Sequence, residues 1–190
     1  MVFGNLNKFS FIVDIVTEWS SKGFKAGLFY VSIDGHLFPE DLVNTTLNSE
    51  LYVFFEKKRS SLFTCPIDLM LFSEDKCSVY QKMYYLAFPV QNDEKNEYIE
   101  NNYMYSCGFT EMENQGYYLF SVSNGETIRI LGAKVIYNAL MVPINLEQDE
   151  SIFEILLPVS TLNNMLFQLK HYYDEFILPL GTSPHTPIGQ

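Results

Sequence analysis

YYLFSVSNGETIRILGAKVI, residues 117–136, is the stretch whose reading decides the fold. Two runs rich in Tyr, Phe, Val and Ile flank the pair Asn124-Gly125. Aromatic and β-branched side chains suit a pleated, half-buried surface. An Asn-Gly pair between such runs favours a tight primed-type turn. The sequence therefore predicts a hairpin of residues 117–123 against 126–136. Gly132, inside the second run, marks a bulge or a close approach of another segment.

Working outward, residues 103–109 read as a strand before this hairpin. Residues 151–157 (SIFEILL) read as one after it, stopped by Pro158. Ser160 or Thr161 then offers a cap for a final helix. Leu162, Met165, Leu166, Leu169, Tyr172, Tyr173 and Phe176 give that helix an apolar face near a 3.6-residue period.

The N-terminal part repeats the theme. Residues 8–16 (KFSFIVDIV) and 26–33 (AGLFYVSI) read as strands joined by a short connection, hence antiparallel. Asp34-Gly35 is a turn signal. Leu47, Leu51, Phe54, Phe55 and Leu62 fall at helical spacing behind Asn44, Thr45 and Thr46 as N-cap candidates. Lys57, Lys58 and Arg59 suit the end of that helix, where cations favour its dipole. Pro66 can open a short helix reaching Phe72. Residues 79–88 fit helix or strand equally. Short turns between neighbouring strands predict a mostly antiparallel sheet with helices packed on one face, so an α+β fold. Residues 1–177 form a single domain in this reading. Residues 178–190, with three prolines and two glycines, form a loosely attached tail.

The chain has 23 acidic side chains against 12 Lys and Arg, a net charge of −11, with Arg59 and Arg129 its two arginines. A surface this acidic repels phosphate backbones and anionic membranes, which argues against nucleic-acid and membrane binding. It suits a basic partner, or it keeps an aromatic-rich protein soluble. Cys65, Cys77 and Cys107 make a poor disulfide framework and fit reduced thiols. With neither a signal-peptide pattern nor an apolar run of membrane-spanning length, a cytoplasmic location is expected.

Chemistry-bearing motifs are absent from the sequence. His36, His171 and His185 lack the spacing of a zinc site, and there is no C-x-x-C. No G-x-S-x-G elbow, Walker loop or G-x-G-x-x-G occurs, and Cys107 reads as a core thiol. No catalytic residue, metal or cofactor is therefore expected, leaving binding as the function. Asp93, Glu94, Glu97 and Glu100 dominate the most polar stretch, residues 91–102. Solvation there would leave them ordinary carboxylates, fitted to steering a partner. Tyr98 is a candidate anchor beside them, since Tyr buries area while keeping a polar end. Most of the neighbouring tyrosines read as cross-strand packing. Trp19 is either an exposed hot spot or an inward plug on the first hairpin.

Met1-Val2-Phe3-Gly4-Asn5, Lys8-Phe9 before a strand carrying Asp14, Gly27-Leu28-Phe29-Tyr30, Ile33-Asp34-Gly35 and Thr46-Leu47 form one pattern. It resembles the bacterial polymorphic-toxin immunity proteins of the immunity protein 42 family, as does Glu154-Ile155-Leu156-Leu157-Pro158 before a closing helix. The resemblance implies a small cytosolic protein without enzymatic activity that binds and neutralises a cognate toxin domain. The acidic charge adds the expectation that this toxin is a basic nuclease. The other readings are a structural or adaptor domain of a bacterial or phage assembly and, third, an enzyme with a spatially assembled carboxylate site.

Overall fold

The Asn124-Gly125 signal does close a hairpin. In the computed structural model, which describes residues 1–56, 60–89, 99–140 and 142–178, β6 (Tyr117–Ser123) pairs antiparallel with β7 (Thr127–Lys134). The Asn124 N–H donates to the Thr127 carbonyl at 3.1 Å, and Gly125 has φ 101°. Gly125 and Glu126 therefore occupy the corner, one residue on from the Asn-Gly pair. The Asn124 carboxamide oxygen accepts from the N–H groups of Glu126 and Thr127 at 3.1 and 2.8 Å. Asn124 thus works as an Asx corner. Strand β8 (Ile152–Pro158) pairs with the other side of β7, giving a three-stranded antiparallel sheet in the order β6-β7-β8.

A separate sheet forms from the N-terminal part. Its strands β1 (Val2–Gly4), β2 (Phe9–Ile15), β3 (Ala26–Ile33) and β4 (His36–Phe38) are neighbours in that order, and β5 (Thr45–Thr46) also pairs with β3. Asp34 and Gly35 turn β3 into β4 with φ of 51° and 81°, the left-handed pair that a two-residue hairpin needs. Pairing between the named strands is antiparallel, as the short turns predicted, and the class is α+β; the strands are shared between two sheets.

Helix α1 (Leu47–Glu56) follows β5 directly, so Thr45 and Thr46 extend the sheet where capping was expected. Leu62 belongs to a separate short helix, α2 (Ser61–Thr64), capped by Ser60. Lys57, Lys58 and Arg59 lie outside the described residues. The segment after Pro66 forms α3 (Leu69–Ser73), capped by Asp68, and then α4 (Lys76–Ala87), capped by Asp75. Residues 79–88 are thus almost wholly helical. Residues 103–109 form no named strand, and α5 (Thr110–Glu113) follows them. The closing helix α6 (Val159–Tyr172) starts one residue before Ser160, and neither Ser160 nor Thr161 caps it. A π-turn over Tyr173–Ile177 ends the described fold, and residues 179–190 lie outside it.

The core explains the layering. Phe9, Phe11, Val13, Phe29, Val31 and Ile33 form the inner face of the first sheet, against Leu51 and Phe54 of α1 and Leu162, Leu166 and Leu169 of α6. Tyr117, Leu119, Ile128 and Ile130 of the second sheet join the same core. The other face of the second sheet carries Phe120, Val122, Leu131 and Ala133, and packs on Val79, Tyr80, Met83 and Tyr84 of α4. Both faces of β6 and β7 are therefore buried. Gly132 is where the sheets approach: a Cβ there would lie 2.8 Å from Ile33 Cδ1 and 3.3 Å from Phe38 Cζ. The sequence signal for a close approach was sound.

Candidate partner-binding surface

Between β7 and β8 the chain makes an excursion over residues 135–151. Its base is fastened by one buried side chain, Asn145. The Asn145 amide donates to the Lys134 carbonyl at 2.7 Å, and its oxygen accepts the Ile136 N–H at 2.8 Å. Above that clamp, residues 136–140 and 142–144 fold back on one another. The Ile144 N–H donates to the Ile136 carbonyl at 2.9 Å and the Asn138 N–H to the Val142 carbonyl at 3.0 Å. The Asn138 side chain closes the tip by accepting from the N–H groups of Leu140 and Val142 at 2.9 and 3.0 Å.

This small hairpin shows its apolar side chains to solvent. Ile136, Val142 and Ile144 are exposed, and Leu140 is 83% exposed. Tyr137 turns inward, where its hydroxyl meets that of Tyr84 at 2.7 Å and donates to that of Tyr118 at 3.1 Å. Burial pushes the phenols of Tyr84 and Tyr137 up to about 12, and that of Tyr118 higher still. All three stay neutral at physiological pH. Their hydroxyls tie the hairpin to α4 and are unsuited to act as bases or nucleophiles.

A groove of about 360 Å³ runs between the hairpin and the end of α4, lined by Tyr84, Tyr85, Phe88, Pro89, Asn101, Leu140, Val142 and Pro143. Asn101 donates to the Ala87 carbonyl at 2.8 Å and to the Tyr103 hydroxyl at 3.0 Å, and the Asn102 N–H reaches the Leu86 carbonyl at 2.8 Å. These bonds pin the end of the acidic stretch to the C-terminus of α4. Glu100 is exposed there, beside the half-exposed Tyr103 and Met104. Asp93, Glu94, Glu97 and Tyr98 lie outside the described residues, in the segment that joins Pro89 to Ile99. An apolar centre bordered by charge is how recognition surfaces are commonly organised. Sequence reading singled out the acidic stretch, of whose four carboxylates Glu100 is the one among the described residues, and missed the hairpin. Its signal was a non-periodic apolar run, LMVPI at 140–144, between Asn138 and Asn145.

Trp19 is 40% exposed, in a single 3-10 turn after β2, and no hydrogen bond or ring contact among the described residues links it to this surface. Tyr105 and Tyr117 are buried. A second cavity, about 250 Å³, is lined by Val53, Phe54, Ser60, Tyr103, Ser106, Gly108, Thr110 and Glu113. Glu113 is its one carboxylate, raised above the ordinary range by burial and held by the Ser106 hydroxyl at 3.2 Å. Among the described residues no group of three or more His, Cys, Asp or Glu is placed to hold a metal ion. Cys65, Cys77 and Cys107 are all unbridged.

The family model of immunity protein 42 matches residues 1–172. The chain belongs to that family. An immunity protein neutralises a toxin by binding it, without catalysis, and a surface built for contact is the feature such a protein requires. The fold is similar to that in the crystal structure of CdiI from Burkholderia dolosa AUO158, with a TM-score of 0.67 over 88% of this chain and 99% of that one. At 20% identity the likeness concerns the fold. Comparison with curated proteins gave no match. No helix among the described residues is long and apolar enough to cross a membrane.

Proposed function

We propose that this immunity protein acts in the cytoplasm, blocking a basic toxin domain, a nuclease, by docking residues 136–144 and the end of α4 onto it. Asp93, Glu94, Glu97 and Glu100 steer the encounter, and Tyr98 anchors the rim. The observation that carries this reading is the exposed apolar hairpin, clamped by Asn145 and Tyr137, which shares a groove with Asn101 at the end of the most acidic stretch of the chain. A rigid apolar projection limits the ordering cost of binding. Carboxylates beside it accelerate approach of a cationic surface and are screened by salt. Nuclease active sites bind phosphate and so favour basic surroundings, which the net charge of −11 complements.

Titration calorimetry against the toxin domain encoded beside this gene tests the reading. Tight one-to-one binding, weaker in salt, is expected. Leu140→Lys with Ile144→Lys should weaken it at least about 30-fold, the scale of losing one central hot spot. Reversing Asp93, Glu94, Glu97 and Glu100 to Lys should slow association and flatten its salt dependence. Full affinity in the hairpin variant would place the interface elsewhere.

A further inference from the structure

The two edges of the second sheet are finished differently. On the outer side of β6, the Cys107 N–H donates to the Leu119 carbonyl at 2.9 Å, and the Ser121 N–H to the Tyr105 carbonyl at 2.8 Å. Further along, the Ser123 N–H reaches the Pro66 carbonyl at 2.8 Å and the Asp68 N–H reaches the Ser123 carbonyl at 3.1 Å. That edge is closed by the residues before it in the chain.

Among the described residues the outer side of β8 has no such cover. The Val159 N–H donates to the Glu126 carbonyl at 2.9 Å, which fixes the alternation along the strand. In an antiparallel ladder successive residues direct their backbone groups to opposite sides. Residues 153, 155 and 157 therefore bond to β7, and residues 152, 154, 156 and 158 point outward. Pro158 has no N–H, and the Ile152 N–H donates to the Asp149 carbonyl. Glu154 and Leu156 remain, each with an outward N–H and carbonyl that meet no partner among the described residues. They face a groove of about 540 Å³ between β8, the β3–β4 turn of the first sheet at Asp34 and His36, and Lys76 at the start of α4.

The charges say what can enter. Asp34 and Glu150 are exposed on this groove and have no ion pair among the described residues. Asp149 pairs with Lys76 at 3.2 Å, and Glu154 pairs with the buried Arg129 at 2.8 Å. A second copy of this chain would bring the same carboxylates to the same edge and be repelled, a common guard on exposed strands. A cationic strand would be attracted and would find two residues' backbone groups at the spacing a new strand needs.

We infer that β8 receives an extended, Lys- or Arg-bearing strand of the toxin, added edge-on to the second sheet. The inference rests on the immunity reading and adds a second point of attachment to the hairpin surface. Amide exchange of the intact protein, alone and with the cognate toxin domain, tests it without any variant. The Glu154 and Leu156 amides should exchange fast in the free protein and slow at least about tenfold in the complex. Leu156→Pro removes one outward N–H at the register where Pro158 is already tolerated, and should weaken binding about tenfold. Leu156→Ala keeps that N–H and should bind within about threefold of the parent. A complex that forms while both amides exchange at their free rates overturns the added strand and leaves the immunity reading standing. Absence of any complex overturns both.

Discussion

Glu50→Gln should stabilise the protein above neutral pH and leave it nearly unchanged in acid. Glu50 lies on α1 between Leu47 and Phe54 and is 5% exposed. Its Oε2 accepts the Glu111 N–H at 3.4 Å, a long bond for a carboxylate. Burial, the largest cause, raises its pKa from 4.5 to about 7; repulsion by Glu111 and Glu113 adds to this, and backbone N–H groups of Glu111 and Thr110 offset part of it. Between those two pH values the folded chain keeps a proton that the unfolded chain has released. Stability therefore falls as pH rises through this window, and the deficit is complete above about pH 7. At roughly 1.4 kcal/mol per pH unit, the full deficit is about 3 kcal/mol. Gln cannot ionise, so it removes that deficit. Urea unfolding at a series of pH values should show the variant's advantage growing from near zero at about pH 4.5 to about 3 kcal/mol at pH 8. An advantage that stays flat across the series would refute the assignment of a strained buried carboxylate.

Two further outcomes concern stability. Arg129→Met leaves the partly exposed Glu154 without its cation and the carbonyls of Phe72 and Glu74 without the donor now at 3.0 and 2.7 Å; thermal or urea unfolding should show a loss of about 2–3 kcal/mol. Gly27→Ala would drive a Cβ into the Asp14 carbonyl oxygen, so the β2–β3 pairing must shift, with an expected loss of at least about 2 kcal/mol in the same assay.

What the sequence made legible was local. Asn124-Gly125 and Asp34-Gly35 marked their hairpins because turn chemistry is decided by a few adjacent residues. The face of α6 was readable because Leu162, Met165, Leu166 and Leu169 all meet one core. The division into two sheets was not readable. Strands β6 and β7 are buried on both faces, so they lack the polar alternation that reveals which side a strand presents. The same burial hid α4, whose Val79, Tyr80, Met83, Tyr84 and Ala87 lie at helical spacing but are flanked by aromatics that suit a strand equally. Residues 103–109 were misread for a subtler reason: they lend backbone bonds to β6 at Leu119 and Ser121 without continuing as a ladder. Charge singled out the acidic stretch, most of which lies outside the described residues, whereas the exposed hairpin depends on Asn145 and Tyr137 reaching distant partners. Such pairings leave no periodic trace.

The placement of that hairpin bears on how the protein changes over evolutionary time. It is inserted between two strands whose register is set by buried side chains on both faces of the sheet. Leu140, Val142 and Ile144 contribute to neither core, so replacing them alters the proposed docking surface while Asn145 keeps the loop seated. Substitutions there can accumulate at little cost to stability, as exposed loops generally allow. With the docking proposed above, a lineage carrying this scaffold follows a drifting toxin, or exchanges one toxin for another, by rewriting a few loop positions while the sheet and its two cores stay fixed.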